Sequence, residues 1–150
     1  MELIASRFIG PNQPGDFRWM LESPDYADAF FIFNDNESQY LEHLRHAQGA
    51  QSCLPGGGNA AIRPWQCRTP ARAAGLPTGD QGGYEYLDDH VREIITQVAA
   101  RAMAQAARVG AQRVFYSGSS DPELIGTGIF EVAPDVRRFA VSALRSALPD

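Results

Sequence analysis

The segment Asp28–Asn34 constrains the fold more than any other part of this chain of 150 residues. It reads Asp-Ala-Phe-Phe-Ile-Phe-Asn, and the aromatic and β-branched side chains between its polar ends follow one another without interruption. A half-exposed strand would instead alternate apolar and polar residues. A continuous apolar run of this length is typical of a parallel strand that is buried on both faces. The segment therefore predicts a central strand of a sheet that is covered on both sides.

Helix and strand signals alternate along the rest of the chain. The apolar side chains of residues 86–109 follow a period of 3.6 residues, which predicts the longest helix, and Gly110 is a natural stop. A second apolar face predicts a final helix over Asp135–Leu148. The other predicted elements are an opening strand near Leu3–Ile9, a helix from Ser38 through His46, a short strand at Ala74–Gly79 and a strand over Arg113–Gly118. This alternation predicts a single α/β domain, with a mixed, partly parallel sheet flanked by helices.

The charged residues exclude several classes of function. The net charge is −5, which argues against a protein that binds long nucleic acids, although it leaves room for a single nucleotide. All 13 basic residues are arginine. The chain therefore offers no phosphate-binding Walker lysine, no lysine Schiff base and no lysine general base. Arginine offers bidentate contacts to phosphate or carboxylate instead.

Apolar stretches in the chain are far shorter than the roughly 20 residues that a membrane-spanning helix requires. We therefore expect no membrane partner. The first residues, Met-Glu-Leu-Ile-Ala-Ser-Arg, lack the basic start and long apolar core of a signal peptide. These two observations favour a cytoplasmic location.

Polar and glycine-rich segments come where the predicted strands end. Asn34–Asn36 close the first aromatic strand, Gly126–Phe130 follow the strand that ends near Ser117, and Thr78 lies at the end of the short strand. In open α/β sheets, ligands bind at the carboxyl ends of the strands. A further glycine-rich segment, Gly56–Asn59, is expected at the same edge. Because glycine-rich loops expose backbone N–H groups that can bind phosphate, we expect a pocket for a phosphate-containing ligand there.

These motifs, in this order, resemble those of the macrodomain family, the α/β modules that bind ADP-ribose. The first core strand of that family reads Asp-Ala, an apolar run and Asn-x-x-Asn, and this chain has Asp-Ala-Phe-Phe-Ile-Phe-Asn-Asp-Asn at 28–36. The family's glycine-rich loop is matched by Gly-Gly-Gly-Asn-Ala-Ala-Ile at 56–62, and its late Ser-Thr-Gly-Ile-Phe-Gly loop is similar to Gly-Thr-Gly-Ile-Phe at 126–130. A phage-associated macro-like group with Phe-Gly-Asp-Asn and Ile-Pro-Thr segments is closer still. The resemblance implies one macro-like nucleotide-binding domain over residues 1–150.

The late loop is expected to bind a diphosphate through its main chain. The N–H groups of Gly126, Thr127, Gly128 and Ile129 would donate to the phosphate oxygens, and each such bond to a charged group contributes about 1.5–3 kcal/mol. The ring of Phe130 would stack on a ribose or a base. The alternative is a plain turn with Phe130 in the core.

The earlier motifs have candidate roles of their own. Asn34 would contact a ribose hydroxyl or an adenine edge, and Asp35 is the only acid in the set, which makes it the candidate general base. Asn36 is a second candidate for positioning water. The alternative for all three is an Asx turn that ends a strand. Thr78 and Ser117 complete this part of the expected ligand site.

The upstream glycines Gly56, Gly57 and Gly58 permit close approach of the backbone to a ligand. Asn59 is expected to cap a helix that follows them, and Arg63 is a candidate partner for a phosphate. A flexible surface loop is the alternative for this segment.

The chain has two cysteines, Cys53 and Cys67, which lie 14 positions apart. In a cytoplasmic protein they are expected to be reduced thiols. A zinc site formed by His43, His46 and both cysteines is the alternative, because the spacing His-x-x-His can place two imidazoles on one helix face. The cysteine spacing matches no standard zinc motif. We therefore expect free thiols, no metal and no cofactor.

Three functions remain open at this point. The first is a module that binds ADP-ribose or a related nucleotide and hydrolyses an ADP-ribosyl linkage with water positioned by Asp35 or Asn36. The second is a non-catalytic protein that senses or sequesters a nucleotide signal in phage–host conflict. The third is a structural or interaction protein whose glycine-rich loops are only turns.

Overall fold

The computed structural model describes residues 1–46 and 51–149, with the side chain of residue 46 excluded. It contains a sheet of four strands: β1 (Glu2–Ser6), β2 (Ala29–Asn36), β3 (Ala73–Gly79) and β4 (Arg113–Ser117). Their order across the sheet is β1-β4-β2-β3, and each neighbouring pair is parallel. The predicted α/β class is confirmed. The sequence had suggested a mixed sheet, but the only antiparallel pairing in the described ranges is an isolated bridge between Gly79 and Gly83.

In these described ranges, four α-helices accompany the sheet: α1 (Phe17–Glu22), α2 (Glu37–His46), α3 (Asp89–Arg108) and α4 (Pro134–Ser146). The predicted long helix starts three residues later than expected, because Asp88 is its N-cap and its side chain accepts a hydrogen bond from the Val91 N–H at 2.9 Å. It ends as predicted, before Gly110, whose φ of +77° is a conformation that favours glycine. None of the helices in the described ranges combines the length and hydropathy needed to cross a bilayer.

Strand β2 is buried on both faces, as its sequence predicted. Phe30 and Ile32 are fully buried in the core that contains α3 and α4. Phe31 and Phe33 point to the other side, where they are fully buried with side chains of α1 and with Ile62. Both sets of alternate residues must therefore be apolar, and this explains the unbroken run in the sequence.

The predicted opening strand is shorter than expected. It ends at Ser6, and Phe8 and Ile9, which the sequence had placed in the strand, are exposed. The partner strand β4 ends at Ser117, so the chain beyond Ser6 has no ladder to continue. Phe8 is left at the carboxyl edge of the sheet, where it becomes part of the site described below.

Two 3-10 helices lie between α2 and β3 in the part of the chain that the structure describes. They span Gln51–Cys53 and Gly58–Gln66, and the chain then enters β3. Cys53 ends the first of these helices and Cys67 is the C-cap of the second, and the two cysteines form a disulfide, with their Cα atoms 5.9 Å apart. The expectation of reduced thiols is therefore wrong for this structure. That expectation was based on the reducing conditions of the cytoplasm. In the structure, the path of the chain through the two 3-10 helices brings the two sulfur atoms into contact.

Candidate functional site

A cavity of about 890 Å³ opens at the carboxyl edge of the sheet. All four strands contribute to it, because residues at or just after the end of each strand lie in its wall. This is the position that a parallel α/β sheet offers to a ligand, and the volume lies within the range of roughly 300–1,000 Å³ that is usual for small-molecule pockets. The predicted convergence of the strand ends is present in the structure.

Nearly every residue proposed from the sequence lies in the cavity wall. These are Asn34, Asp35, Asn36, Gly57, Gly58, Asn59, Arg63, Thr78, Ser117, Gly126, Thr127, Gly128, Ile129 and Phe130. Gly56 is the exception, since it does not line the cavity. We call the segment between the cysteines, residues 53–67, the upstream loop, and Gly126–Phe130 the downstream loop.

Gly126 anchors the downstream loop to the sheet. Its N–H donates to the Ser117 carbonyl at 2.8 Å, and its own carbonyl accepts a hydrogen bond from Asn34 Nδ2 at 2.6 Å. A Cβ atom at this position would lie 2.2 Å from the Gly118 carbonyl oxygen, so only glycine fits. The Gly126 N–H was expected to bind a phosphate, but it is already paired within the protein. Gly126 therefore positions the loop instead of donating to a ligand.

The next residues of the downstream loop are left without internal partners. The N–H groups of Thr127, Gly128 and Ile129 have no acceptor among residues 1–46 and 51–149. The Ile129 side chain is 92% exposed and that of Phe130 is 57% exposed. Phe130 is therefore not a core residue, which removes the alternative of a plain turn around a buried ring. Consecutive unpaired N–H groups of this kind are available to an anion.

Asp35 is held by the upstream loop. Arg63 donates to both of its carboxylate oxygens, through Nε at 3.1 and 3.2 Å and through Nη2 at 2.5 Å. The Asn36 N–H donates to the same carboxylate at 2.9 Å. Only 1% of the Asp35 side chain and 14% of the Arg63 side chain are exposed. The acid predicted to be a general base is thus a buried partner of a guanidinium group.

Asn36 also has a structural contact. Its Oδ1 accepts a hydrogen bond from the Gln39 N–H at 2.8 Å, near the start of α2. This is the arrangement of an Asx residue that ends a strand and opens a helix, which was the alternative considered for this motif. Asn34 differs, because its Oδ1 is buried and has no hydrogen-bond partner in the described ranges.

Gly56 and Asn59 serve the protein's own packing. A Cβ atom on Gly56 would come within 2.5 Å of Arg63 Nη1, so the missing side chain leaves room for the guanidinium group. Asn59 does not cap the helix that follows it, since Gly57 occupies the N-cap position. Instead its Oδ1 accepts from the Phe17 N–H at 2.9 Å and its Nδ2 donates to the Gly15 carbonyl at 3.1 Å. It therefore ties the upstream loop to the start of α1.

Sequence reasoning missed several residues of the wall. Arg7 and Phe8 follow β1, and the rule that ligands bind at strand ends could have found them, had it been applied to the opening strand. Arg137 of α4 also lies in the wall, and its Nε donates to the Ile125 carbonyl at 2.8 Å, next to the downstream loop. The sequence pattern could not identify Arg137, because a single arginine on an amphipathic helix is indistinguishable from a solvent-exposed one.

A second polar cluster joins α2 to the segment after β3. Glu37 accepts hydrogen bonds from the Tyr84 hydroxyl at 2.6 Å and contacts His90 Nε2 at 2.8 Å. Burial and the adjacent carboxylate raise the pKa of Tyr84 well above its usual value, so the phenol stays protonated. The same carboxylate raises the pKa of His90. His90 is exposed, and these three residues lie outside the cavity wall.

His43 of α2 lies beside the disulfide. Its Nδ1 is 3.9 Å from Cys67 Sγ, and burial lowers the pKa of its imidazole. The side chain of His46, which the sequence had offered as a further zinc ligand, lies outside the described residues.

The chain was compared with models of known protein families, with curated proteins and with solved structures, and it matches none of them significantly.

Proposed function

We propose that this chain is a macro-like module that binds ADP-ribose, or a related nucleotide with a diphosphate, in the cavity at the carboxyl edge of its sheet. The observation that carries the proposal is the run of unpaired N–H groups at Thr127, Gly128 and Ile129. In a chain without lysine, arginine is the permanently charged side chain for a phosphate, and main-chain N–H groups add uncharged donors.

The other residues of the cavity wall favour a nucleotide over inorganic phosphate as the ligand. The exposed ring of Phe130 offers an aromatic face for a base or a ribose, and Phe8 adds a second exposed ring to the wall. The side chains of Arg7 and Arg137 bring positive charge to the same cavity.

The state of Asp35 favours binding without catalysis over hydrolysis. A general base must have a lone pair within reach of the proton that it removes. Both Asp35 oxygens accept hydrogen bonds from Arg63, and the carboxylate is almost completely buried. Hydrolysis of an ADP-ribosyl linkage would require this pair to open. A protein that senses or sequesters a nucleotide signal needs no such step.

Thermal unfolding in the presence of ADP-ribose, NAD, ADP and cyclic nucleotides tests the proposal. A ligand at 100 times its Kd adds about 2.7 kcal/mol to the stability of the folded state. For a domain of this size, that corresponds to a rise in Tm of roughly 5–10 °C. A shift with ADP-ribose that exceeds the shift with cyclic nucleotides supports a diphosphate site. No shift with any of the four would leave the glycine-rich loops as structural turns.

Incubation with an ADP-ribosylated protein then separates the two activities. The binding function predicts that the modified protein is retained and remains modified. Release of ADP-ribose that depends on Asp35 would instead establish the hydrolase. Asp35→Asn is the informative variant only if circular dichroism shows that it is folded, because Asp35 also stabilises the upstream loop.

A further inference from the structure

The cluster around the disulfide contains groups that can bind a metal ion. Sγ of Cys53, Sγ of Cys67 and a ring nitrogen of His43 all lie within 4.8 Å of one another, and all three residues are half-buried. They come from three separate parts of the chain: α2, the 3-10 helix Gln51–Cys53 and the residue that ends the 3-10 helix Gly58–Gln66. The fold therefore brings them together without any local sequence motif.

We propose that Cys53, Cys67 and His43 form a Zn²⁺ site when the disulfide is reduced. Two thiolates and one imidazole form a ligand set that suits zinc and is poorly suited to Mg²⁺ or Ca²⁺. Zn–S bonds of about 2.3 Å and Zn–N bonds of about 2.0 Å in a tetrahedron place the sulfur and nitrogen ligands about 3.6 Å apart. The observed separation of Cys67 Sγ and His43 Nδ1 is 3.9 Å, so this edge of the tetrahedron is nearly formed already.

A dithiol transfers two electrons and two protons to the disulfide, becomes a disulfide itself, and leaves Cys53 and Cys67 as thiols. Zn²⁺ then replaces the two thiol protons, which pass to solvent. The two sulfur atoms need to separate only to about 3.8 Å, the edge length of a tetrahedral ZnS₂ unit. The fourth position on the metal is left for water or a further ligand.

The site would hold the upstream loop closed in a reducing environment. The disulfide joins the ends of the segment that carries Gly57, Gly58 and Arg63 in the cavity wall. A metal ion bound by the same two sulfur atoms closes the same segment. The wall of the cavity is therefore held by a covalent bond under oxidising conditions and by Zn²⁺ under reducing conditions. This inference does not depend on which ligand the cavity binds.

The test uses the full chain after reduction with a tertiary phosphine and desalting without oxygen. Thiol titration must first show two thiols per chain. Titration with Zn²⁺ alone is then expected to give one bound ion per chain, and Co²⁺ is expected to show thiolate charge-transfer and tetrahedral d–d absorption. The oxidised protein is expected to show neither. Zn²⁺ should also raise the Tm of the reduced protein.

Substitutions test which side chains bind the metal ion. His43→Gln and Cys67→Ser, both compared in the reduced state, should weaken Zn²⁺ binding by at least about tenfold, since even outer-shell partners of metal ligands are worth about 10–100-fold. His90→Gln is the matched control, because His90 is exposed, pairs with Glu37 and does not belong to the cluster. If a reduced variant is unfolded by circular dichroism, the Co²⁺ spectrum of reduced wild type decides the question.

Three results would overturn the proposal. The first is Zn²⁺ binding by reduced wild type that equals the binding by His43→Gln. The second is a Co²⁺ complex without thiolate absorption. The third is a disulfide that the phosphine reduces only after the protein is unfolded by urea, because then the folded protein never presents the thiols.

Discussion

The two glycine-rich loops in the cavity wall are held in opposite ways. The upstream loop is fixed by a disulfide at its ends, by the Asp35–Arg63 ion pair and by the two hydrogen bonds of Asn59. Within residues 1–46 and 51–149, the downstream loop is fixed at Gly126 only, and the residues that follow are exposed. In the sequence both loops are glycine-rich, and both were predicted to bind the ligand. In the structure the first uses a glycine to accommodate the protein's own arginine, whereas the second leaves backbone donors unpaired.

This difference suggests a division of roles. A loop whose polar groups are paired internally costs little to keep in place but offers few groups to a ligand. A loop with unpaired donors offers them to a ligand at the expense of local stability. Changes in the upstream loop should therefore alter the stability of the fold, and changes in the downstream loop after Gly126 should alter ligand affinity alone.

The largest effect is expected for Asp35→Asn. The substitution leaves the buried Arg63 guanidinium without its counter-charge, and breaking a buried pair by removing one partner costs about 3–5 kcal/mol. Urea unfolding measures the loss. Glu123→Gln is the matched control, since its pair with Arg145 is about half exposed and should contribute less than about 1 kcal/mol. Equal effects of the two substitutions would contradict a stabilising role for the upstream ion pair.

Loss of the disulfide should have the next largest effect. The double variant Cys53→Ala/Cys67→Ala frees a segment closed by cysteines 14 positions apart, and closing a loop of that length contributes about 3 kcal/mol. Urea unfolding in the presence of a metal chelator gives the comparison. Reduced wild type under the same conditions should match the double variant. A double variant as stable as the oxidised protein would show that the other contacts of the upstream loop suffice.

Gly128→Val should lower ligand affinity without lowering stability. A Cβ atom at Gly128 meets nothing within 4 Å, so the free protein accommodates the side chain, which would stand where a phosphate approaches the main chain. Loss of one hydrogen bond to a charged group corresponds to about 1.5–3 kcal/mol, or at least about a tenfold rise in the Kd for ADP-ribose by calorimetry. Thr127→Val keeps the same backbone and serves as the control, with unchanged Kd. If Thr127→Val weakens binding as much, the side chain and not the main chain contacts the ligand.

Phe130→Ala is expected to have the smallest effect. Stacking of a base on an aromatic side chain is worth about 1–3 kcal/mol, and a ring that is 57% exposed should lie at the low end of that range. The Kd for ADP-ribose should then rise by about fivefold, with the Tm of the free protein unchanged. Tyr86→Ala removes an aromatic side chain that is more exposed than Phe130 and lies outside the cavity wall, and it should not change the Kd. Indistinguishable Kd values for Phe130→Ala and wild type would exclude stacking on this ring.

Much of the fold could be predicted from local patterns. The aromatic run that became β2, the stripe that became α3 and the stop at Gly110 each depend on residues that are close in sequence. The convergence of Asn34, Thr78 and Ser117 at one edge followed from the parallel arrangement of the strands, which places their carboxyl ends together. Local pattern did not locate the end of β1, because that end is set by the length of its partner strand.

The sequence by itself determined the class of fold and the edge at which polar and glycine-rich residues collect, because hydrophobic periodicity and strand direction are properties of the local chain. Only the tertiary structure decided how those residues are used. Asp35 and Arg63 are 28 positions apart, and Asn34 and Gly126 are 92 positions apart, so their pairing leaves no trace in any local pattern. Whether a carboxylate or a backbone N–H is free for a ligand depends on such distant partners, since each buried polar group must first be satisfied within the fold.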